Sequence, residues 1–292
     1  MDMTQKDIYD LGLQADLAMA SQSGITRRDA IKLGAIGLAA FLASCSPVKL
    51  TSTPEAVAGS TNTAVVPSTA TAGSSSAEVC VDDIPSETAG PYPADGSNAS
   101  NQRLNALALS GIVRQDLRTS LGTGNVAQGV LLNIEVTLVN TNDNCAPLAG
   151  YAMYLWHCNQ NGDYSMYSAA TVEEDYLRGV QVADANGKLT FTTVYPGCYL
   201  GRWPHTHFEV YPSLDQTTGA ENVIHTSQMA FPEDVCARVY ETSGYETSAR
   251  NLPQISLASD NIFSDGYELQ MVELSGDEVN GYTAKITVGV PA

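Results

Sequence analysis

Two of the four histidines in this 292-residue chain stand one residue apart, in the segment GRWPHTHFEVYP at residues 201–212. Residues i and i+2 of a β-strand project to the same face, so His205 and His207 would point in one direction if this segment is a strand. Two imidazoles on one strand face can supply two ligands to a single metal ion. The spacing alone equally allows two histidines that are hydrogen-bonded in a core or at the surface.

Tyrosine, with 14 residues, is the plentiful side chain that could complete such a site. A phenol keeps its proton near neutral pH, since its pKa is about 10, and it is then a poor metal ligand. A trivalent, strongly Lewis-acidic iron can hold it as phenolate. Tyrosine ligands beside two histidines would therefore indicate Fe(III) rather than Zn(II) or Mg(II).

The elements that would position these residues are short β-strands separated by turns. Residues 130–140 are rich in β-branched side chains, and residues 151–158, 206–212 and 282–290 are further strand candidates. Asn186-Gly187 stands between two β-rich runs and favours a tight hairpin turn. The pattern from about residue 78 onward predicts an all-β domain, a β-sandwich of short, mostly antiparallel strands.

Residues 1–45 have the order of features of an export signal. Arg27-Arg28 precede an apolar run at residues 33–44, which is too short to span a bilayer but typical of a signal peptide. The run ends at Cys45, and the whole resembles a bacterial twin-arginine signal closed by a lipobox, with Cys45 as the lipidated residue. A buried core helix preceded by a chance arginine pair is the alternative.

Residues 46–77 are rich in Ser, Thr, Ala and Pro and contain no aromatic residue. Such a segment cannot bury enough surface to offset its ordering entropy, so it is predicted to be a flexible linker. The predicted organisation is a signal at 1–45, the linker at 46–77 and a folded domain at 78–292. This order predicts an exported bacterial lipoprotein that faces the periplasm or the cell exterior and meets a membrane only through Cys45.

Composition narrows the partners further. The formal charge of −18 argues against nucleic-acid binding, which needs a basic surface, and against adsorption to anionic lipid by charge alone. An odd number of cysteines follows Cys45, so at least one thiol is unpaired or pairs with another chain. Their pairing is left open, and they lack the close CxxC spacing of a zinc-thiolate site: Cys80, Cys145, Cys158, Cys198 and Cys236.

Three segments together resemble the intradiol ring-cleavage dioxygenases, above all protocatechuate 3,4-dioxygenase-like proteins. They are ETAGPYP at 87–93, WHCNQNGDYSMY at 156–167 and YLRGVQVADANGKLTFTTVYPGCYLGRWPHTHFEV at 176–210. The resemblance implies a non-haem Fe(III) held by two tyrosines and two histidines. The Trp-x-x-x-x-x-Gly-x-Tyr pattern assigns Tyr164, the Pro-Gly-x-Tyr pattern assigns Tyr199, and His205 and His207 complete the set.

The same resemblance implies a reaction. A catechol-type aromatic and O2 are the substrates, both oxygen atoms are inserted, and the ring opens between the hydroxyl-bearing carbons to give a muconate-type diacid. Tyr199 would take up a substrate proton, and Arg202 would lie beside the ring and stabilise negative charge developing on it, unless it is an ordinary surface cation. Gln228 matches a family glutamine near the O2-reactive side. Asp184 is interpreted as a turn residue.

Two departures from the family pattern bear on the substrate. Only five residues separate Tyr199 from His205, fewer than in the protocatechuate enzymes, and ETAGPYP replaces the more usual Thr-Glu-Gly-Pro-Tyr-Tyr. The acidic surface favours neutral catechols over carboxylated ones. The alternative function is an exported iron- or ligand-binding β-sandwich lipoprotein without ring-cleavage activity, against which the presence of all four ligand residues argues.

Overall fold

The structure, a computed structural model, describes residues 80–292, which belong to one compact unit. The predicted signal and linker lie outside the described residues, so the boundaries at 45 and 77 remain predictions. Across residues 80–292, no helix combines the length and the apolar character that crossing a bilayer requires.

Strands are the main regular elements of the described part of the chain, as the sequence predicts. Residues 80–292 contain the strands β1 (Leu131–Asn140), β2 (Ala146–Pro147), β3 (Ala152–Trp156), β4 (Arg178–Val182), β5 (Lys188–Val194), β6 (His205–Tyr211), β7 (His225–Ala230), β8 (Glu273–Asp277) and β9 (Gly281–Val290). The helices there are short, α1 (Glu233–Val239) and α2 (Glu246–Asn251). Single 3-10 turns occupy Ala99–Asn101, Ala106–Ala108, Thr141–Asp143, Leu214–Gln216, Ala220–Asn222, Leu252–Gln254 and Phe263–Asp265.

The strands form two sheets. One has the order β2-β1-β9-β8, with β5 also paired to β1, and the other has the order β4-β3-β6-β7. All pairings are antiparallel except that of β1 with β9. The predicted all-β sandwich of mostly antiparallel strands is therefore confirmed.

The core lies between the two sheets. Side chains alternate in and out along β1, where Leu132, Ile134, Val136 and Leu138 are buried. They share one apolar cluster with Met153, Leu155, Phe208 and Val210 of the second sheet. This cluster fixes which face of β3 and β6 points inward, and so leaves His205 and His207 on the opposite face.

The strand β6 is buried along its whole length because a second layer covers its other face. That layer is a separate cluster formed mainly by aromatic residues of β3 and of three connecting segments: Tyr92, Ala94, Leu107, Ile112, Tyr154, Trp156, Tyr164, Tyr167 and Tyr199. The two histidines are therefore enclosed between the second sheet and these connections.

The turn predicted at Asn186-Gly187 is present, but the prediction that it closes a hairpin is wrong, because the strands on either side of it do not pair with each other. Gly187 has φ +74°, and the Asp184 carboxylate accepts hydrogen bonds from the backbone N–H groups of Asn186 and Lys188 at 2.8 and 2.9 Å. Asp184 is thus the turn residue it was predicted to be. However, β4 pairs with β3 and β5 pairs with β1, so this turn connects the two sheets.

The described cysteines include one disulfide, between Cys80 and Cys145. It ties the first described residue to the loop after β1. Cys158, Cys198 and Cys236 are free and buried, which agrees with the odd cysteine count.

Candidate metal centre

The four residues predicted as iron ligands meet at one point. The Nε2 atoms of His205 and His207 lie 3.0 Å apart. The phenol oxygens of Tyr199 and Tyr164 lie 3.3 and 3.5 Å from the Nε2 atom of His205. All four side chains are buried, with exposed fractions from 1% to 7%. Donor atoms from two loops and one strand therefore converge in one enclosed space.

Both imidazoles come from β6, as the strand argument predicts, and each has its own support. The Nδ1 atom of His205 lies 2.5 Å from the Trp203 carbonyl oxygen. Since a carbonyl can only accept, this Nδ1 carries the proton and Nε2 presents its lone pair to the cluster. His207 lies opposite Trp156 in the β3–β6 pairing, and the two rings stack at 5.0 Å with an angle of 5°.

The two tyrosines are brought together by glycines in their motifs. Gly162 has φ +93°, and a Cβ atom placed on it would lie 2.9 Å from the Cβ of Tyr199. A Cβ atom on Gly197 would lie 2.5 Å from the Asn159 carbonyl oxygen. The loop that carries Tyr164 and the loop that carries Tyr199 thus pack backbone against backbone, at a distance that only glycine allows.

Arg178 supports the Tyr164 loop, and sequence reasoning missed it. Its side chain is wholly buried and donates hydrogen bonds of 2.9 to 3.1 Å to the carbonyl oxygens of Tyr92, Pro93 and Ser165, and to the hydroxyls of Ser165 and Tyr154. The Tyr92 ring in turn packs on the Tyr164 ring at 4.8 Å. A charged residue inside the otherwise strand-like run after Tyr176 was the signal that could have found it.

The electrostatics of the cluster suit a strongly Lewis-acidic ion. Burial, together with the Arg202 charge, lowers the pKa of His205 well below its usual value, and burial together with His205 does the same for His207. Both imidazoles are therefore neutral, which is the form that binds metal. Burial, and then Tyr199, raises the pKa of Tyr164 well above its usual value. Only a strongly polarising cation would hold that phenol as phenolate.

The chemistry of the donor set therefore fits Fe(III) held by two phenolates and two imidazoles. Among residues 80–292, no group of three or more His, Cys, Asp or Glu side chains is placed to hold a metal ion. The cluster contributes only two side chains of those types, so a metal bound here would need the phenols of Tyr164 and Tyr199.

Arg202 and Gln228, the other two predicted site residues, also lie at the cluster. Arg202 is wholly buried, which excludes the surface-cation alternative. Its Nη2 donates to the Gln228 side-chain oxygen at 2.6 Å, and Gln228 lies opposite His207 in the β6–β7 pairing. The amide nitrogen of Gln228 donates to the Thr88 carbonyl oxygen at 3.0 Å, which connects the ETAGPYP segment to the site.

Comparison with known proteins agrees with this arrangement. A family model described as Dioxygenase matches residues 90–234, a range that includes all six predicted site residues. An intradiol ring-cleavage dioxygenase from Tetranychus urticae is similar in structure with a TM-score of 0.51 and 23% identity, over 62% of this chain and 88% of that one.

Other solved structures give lower scores. The dioxygenase domain of a dioxygenase carbohydrate-binding protein fusion from Streptomyces sp. SirexAA-E has a TM-score of 0.44 and 20% identity, over 72% of this chain and 98% of that one. Hydroxyquinol 1,2-dioxygenase from Pseudomonas putida DLL-E4 has a TM-score of 0.43 and 14% identity, over 72% and 66%. No curated protein sequence matches this chain.

The model match carries the family assignment and the Tetranychus structure supports the fold. From the family-model match over residues 90–234 and the order of the motifs in the sequence, the chain belongs to the intradiol ring-cleavage dioxygenase family.

Proposed function

We propose that this domain is a non-haem Fe(III) dioxygenase that cleaves a catechol-type aromatic between its two hydroxyl-bearing carbons and inserts both atoms of O2. The observation that carries the proposal is the convergence of Tyr164, Tyr199, His205 and His207 on one buried point. Tyr164, Tyr199, His205 and His207 would hold the iron, which would supply Lewis-acid activation of a bound catechol toward O2. A muconate-type diacid would be the product.

The two phenols differ in ways that suit different roles. Tyr164 is 1% exposed and is packed against Tyr92, whereas Tyr199 is 7% exposed and is followed by Leu200, which is 51% exposed. Tyr199 is therefore the phenol on the side from which a substrate can approach. We assign to its oxygen the uptake of a proton from a catechol hydroxyl, and to Tyr164 a fixed place in the ligand set.

The buried guanidinium of Arg202 supplies the positive charge of the site. Burial is the main cause of the lowered pKa of both histidines, and the Arg202 charge lowers it further, so the field of this charge reaches the cluster. A fixed cation in a water-poor site stabilises negative charge that develops on a bound aromatic ring. The side-chain oxygen of Gln228 accepts a hydrogen bond from Arg202, and we assign to Gln228 the role of orienting the guanidinium.

A neutral catechol suits the site better than a carboxylated one. Arg202 already faces the Asp260 carboxylate at 3.0 Å, and the N–H groups of Arg178 are taken up by neutral oxygens of four residues. A substrate carboxylate would have to displace one of these partners. The net charge of −18 adds long-range repulsion of anions.

Metal analysis and absorption test the iron site. Purified protein prepared with both iron and zinc available should contain one iron per chain and show visible absorption from tyrosinate-to-Fe(III) charge transfer. Stoichiometric zinc without iron would contradict the proposal. His207→Ala should remove the iron, whereas His157→Ala, which changes a buried histidine bonded to Thr193 and Cys158, should leave the ligand set complete.

Product analysis tests the reaction. Under labelled O2, iron-loaded protein should release a diacid that carries label in both new carboxyl groups. A yellow semialdehyde, which marks cleavage beside the diol, would rule out intradiol chemistry. Binding of iron and catechols without any product across a broad catechol panel would instead support the alternative of an iron-binding lipoprotein.

We propose further that the protein is exported and anchored through Cys45. The Arg27-Arg28 pair, the apolar run and Cys45 support this, and so does the disulfide at Cys80–Cys145, since such bonds persist in oxidising compartments. Changing Arg27 and Arg28 to lysine should retain the precursor inside the cell. Cys45→Ala should abolish lipid labelling without changing iron content; continued labelling would refute the anchor.

A further inference from the structure

Asp260 is a wholly buried carboxylate. Each of its two oxygen atoms accepts two hydrogen bonds. Its Oδ2 atom accepts from Arg202 Nε at 3.0 Å and from the backbone N–H of Trp203 at 2.7 Å. Its Oδ1 atom accepts from the backbone N–H groups of Ile262 and Phe263 at 2.8 and 3.1 Å. The second pair of bonds anchors the carboxylate in its own segment, so that the first pair is aimed at the segment between Tyr199 and His205.

The first of these bonds sets the direction of the Arg202 side chain. Because Nε donates to Asp260 while Nη2 donates to Gln228 at 2.6 Å, the guanidinium is held at two of its corners. Both partners are themselves wholly buried. A cation in this position needs a counter-charge, since a buried unpaired charge is strongly unfavourable. Asp260 supplies that charge.

The second bond acts on His205 through one peptide unit. The N–H of Trp203 donates to Asp260, and the carbonyl oxygen of Trp203 accepts from Nδ1 of His205. The Trp203 indole is fixed separately, by a 2.9 Å bond from its Nε1 to the Phe231 carbonyl oxygen. With its N–H and its ring both held, the residue presents its carbonyl to the imidazole in one orientation.

We infer that Asp260 is a positioning residue for both functions of the site: it orients Arg202 toward the substrate and, through Trp203, orients the imidazole of His205. The inference rests on the proposed function for the role of Arg202. It names a residue that lies 26 positions beyond the end of the segment matched by the dioxygenase family model, which stops at residue 234. Asp260 lies in the long connection between α2 and β8.

The test compares Asp260→Asn with Asp175→Asn in the full chain. Asp175 is a matched control because it is also a buried carboxylate that accepts two backbone N–H bonds, from Leu121 and Gly122, but it does not contact the Arg202 connection. Asp260→Asn replaces one accepting oxygen with an NH2 group, which would face an N–H donor of the protein. It also removes the negative charge that lies beside Arg202. We expect iron affinity to fall about 10- to 100-fold, as for other partners of ligating histidines. We expect kcat to fall about 100-fold with a smaller change in KM, because the Arg202 charge, which would stabilise the transition state, is no longer correctly oriented.

Two readouts separate positioning from general loss of structure. In metal-free protein, the proton NMR spectrum should show a downfield Nδ1–H signal from His205, present in wild type and Asp175→Asn and lost or shifted in Asp260→Asn. In the iron form, the absorption of a complex with an electron-poor, slowly reacting nitrocatechol should shift in Asp260→Asn only. The inference is overturned if Asp260→Asn matches the control in iron affinity, in the Nδ1–H signal and in kcat.

If Asp260→Asn does not fold, the double variant Arg202→Gln with Asp260→Asn replaces it, because removing both charges leaves no unpaired ion. Compared with Arg202→Gln alone, it should lose further iron affinity, about 10-fold, through the Trp203 route. Equal affinity in the two would overturn the inference. Should iron-loaded wild type cleave no catechol, the proposed function fails, whereas the NMR signal and the iron affinity still decide the role of Asp260.

Discussion

Gly162→Ala tests whether the close contact of the two tyrosine loops builds the candidate metal centre. Gly162 has φ +93°, and a methyl group placed on it would lie 2.9 Å from the Cβ and 3.3 Å from the Cα of Tyr199. The nearer contact is shorter than real Cβ contacts allow, and neither atom belongs to the flexible end of a side chain. The alanine must therefore push Tyr199 away from the cluster or shift its own loop.

The size of the effect follows from two contributions. Alanine at a left-handed φ costs about 1 to 2 kcal/mol. Forcing an extra methyl group into a packed contact costs about 1 to 3 kcal/mol more. The sum of about 2 to 5 kcal/mol is smaller than the free energy of unfolding of most domains, about 5 to 15 kcal/mol, so the variant should still fold.

Gly124→Ala is the matched control. Gly124 has φ +77°, but nothing lies within 4 Å of the position a Cβ atom would take. This variant carries only the backbone contribution, so Gly162→Ala should be about 1 to 3 kcal/mol less stable than Gly124→Ala in denaturant unfolding of the metal-free protein. The difference between the two variants isolates the contact with Tyr199.

Iron absorption gives the second readout of the same pair. A displacement of Tyr199 by a few tenths of an ångström should weaken or shift the tyrosinate-to-Fe(III) absorption of Gly162→Ala and leave that of Gly124→Ala unchanged. A displacement approaching 1 Å could lower turnover about 100-fold. If the two alanine variants agree in both unfolding free energy and absorption, the close contact does not position Tyr199, and the explanation given for the glycine of this motif is wrong.

Three further perturbations address the ligand set, the support of the Tyr164 loop and the disulfide. His205→Ala should abolish iron binding rather than only slow turnover, which metal analysis checks; retained stoichiometric iron would exclude it as a ligand. Arg178→Gln should lower the free energy of unfolding by about 3 to 5 kcal/mol, because three buried carbonyl oxygens lose a charged donor; a loss below about 1 kcal/mol would show that they find other partners. Cys145→Ser should lower it by about 2 to 4 kcal/mol, since the bond to Cys80 closes a loop of 65 residues. Reductant should lower the free energy of unfolding of wild type and of Cys158→Ser, which changes a free thiol. It should not change that of Cys145→Ser.

The parts of the site that could be predicted from the sequence are those set by local geometry. His205 and His207 share a face because alternate residues of any strand do. The two tyrosines follow glycines at fixed short distances, and a motif of that kind carries its own loop conformation. The strand candidates were mostly correct for the same reason, since an alternating apolar pattern depends on neighbours within a few residues.

Strand pairing was less predictable than strand position. The turn at Asp184–Gly187 formed as its residues indicate, with the Asp184 carboxylate closing it. Which strands it joins depends instead on β1 and β3, which lie about 30 to 60 residues earlier in the chain and capture β5 and β4 respectively. The Asn-Gly pattern indicates only that the chain reverses direction. Here the reversal takes the chain from one sheet to the other.

The residues that sequence reasoning missed are buried charges whose partners are distant in the chain. Arg178 bonds to carbonyl oxygens of residues 86 and 85 positions earlier, and Asp260 accepts a hydrogen bond from Arg202, 58 positions earlier. No local pattern encodes these pairs, and each charge is costly to bury alone, so the fold has to supply partners for it from distant segments. Only five residues separate Tyr199 from His205, and that short connection contains both Arg202 and Trp203, which are buried. It offers no side-chain acceptor of its own for either N–H group that Asp260 binds, so the acceptor had to come from elsewhere in the fold.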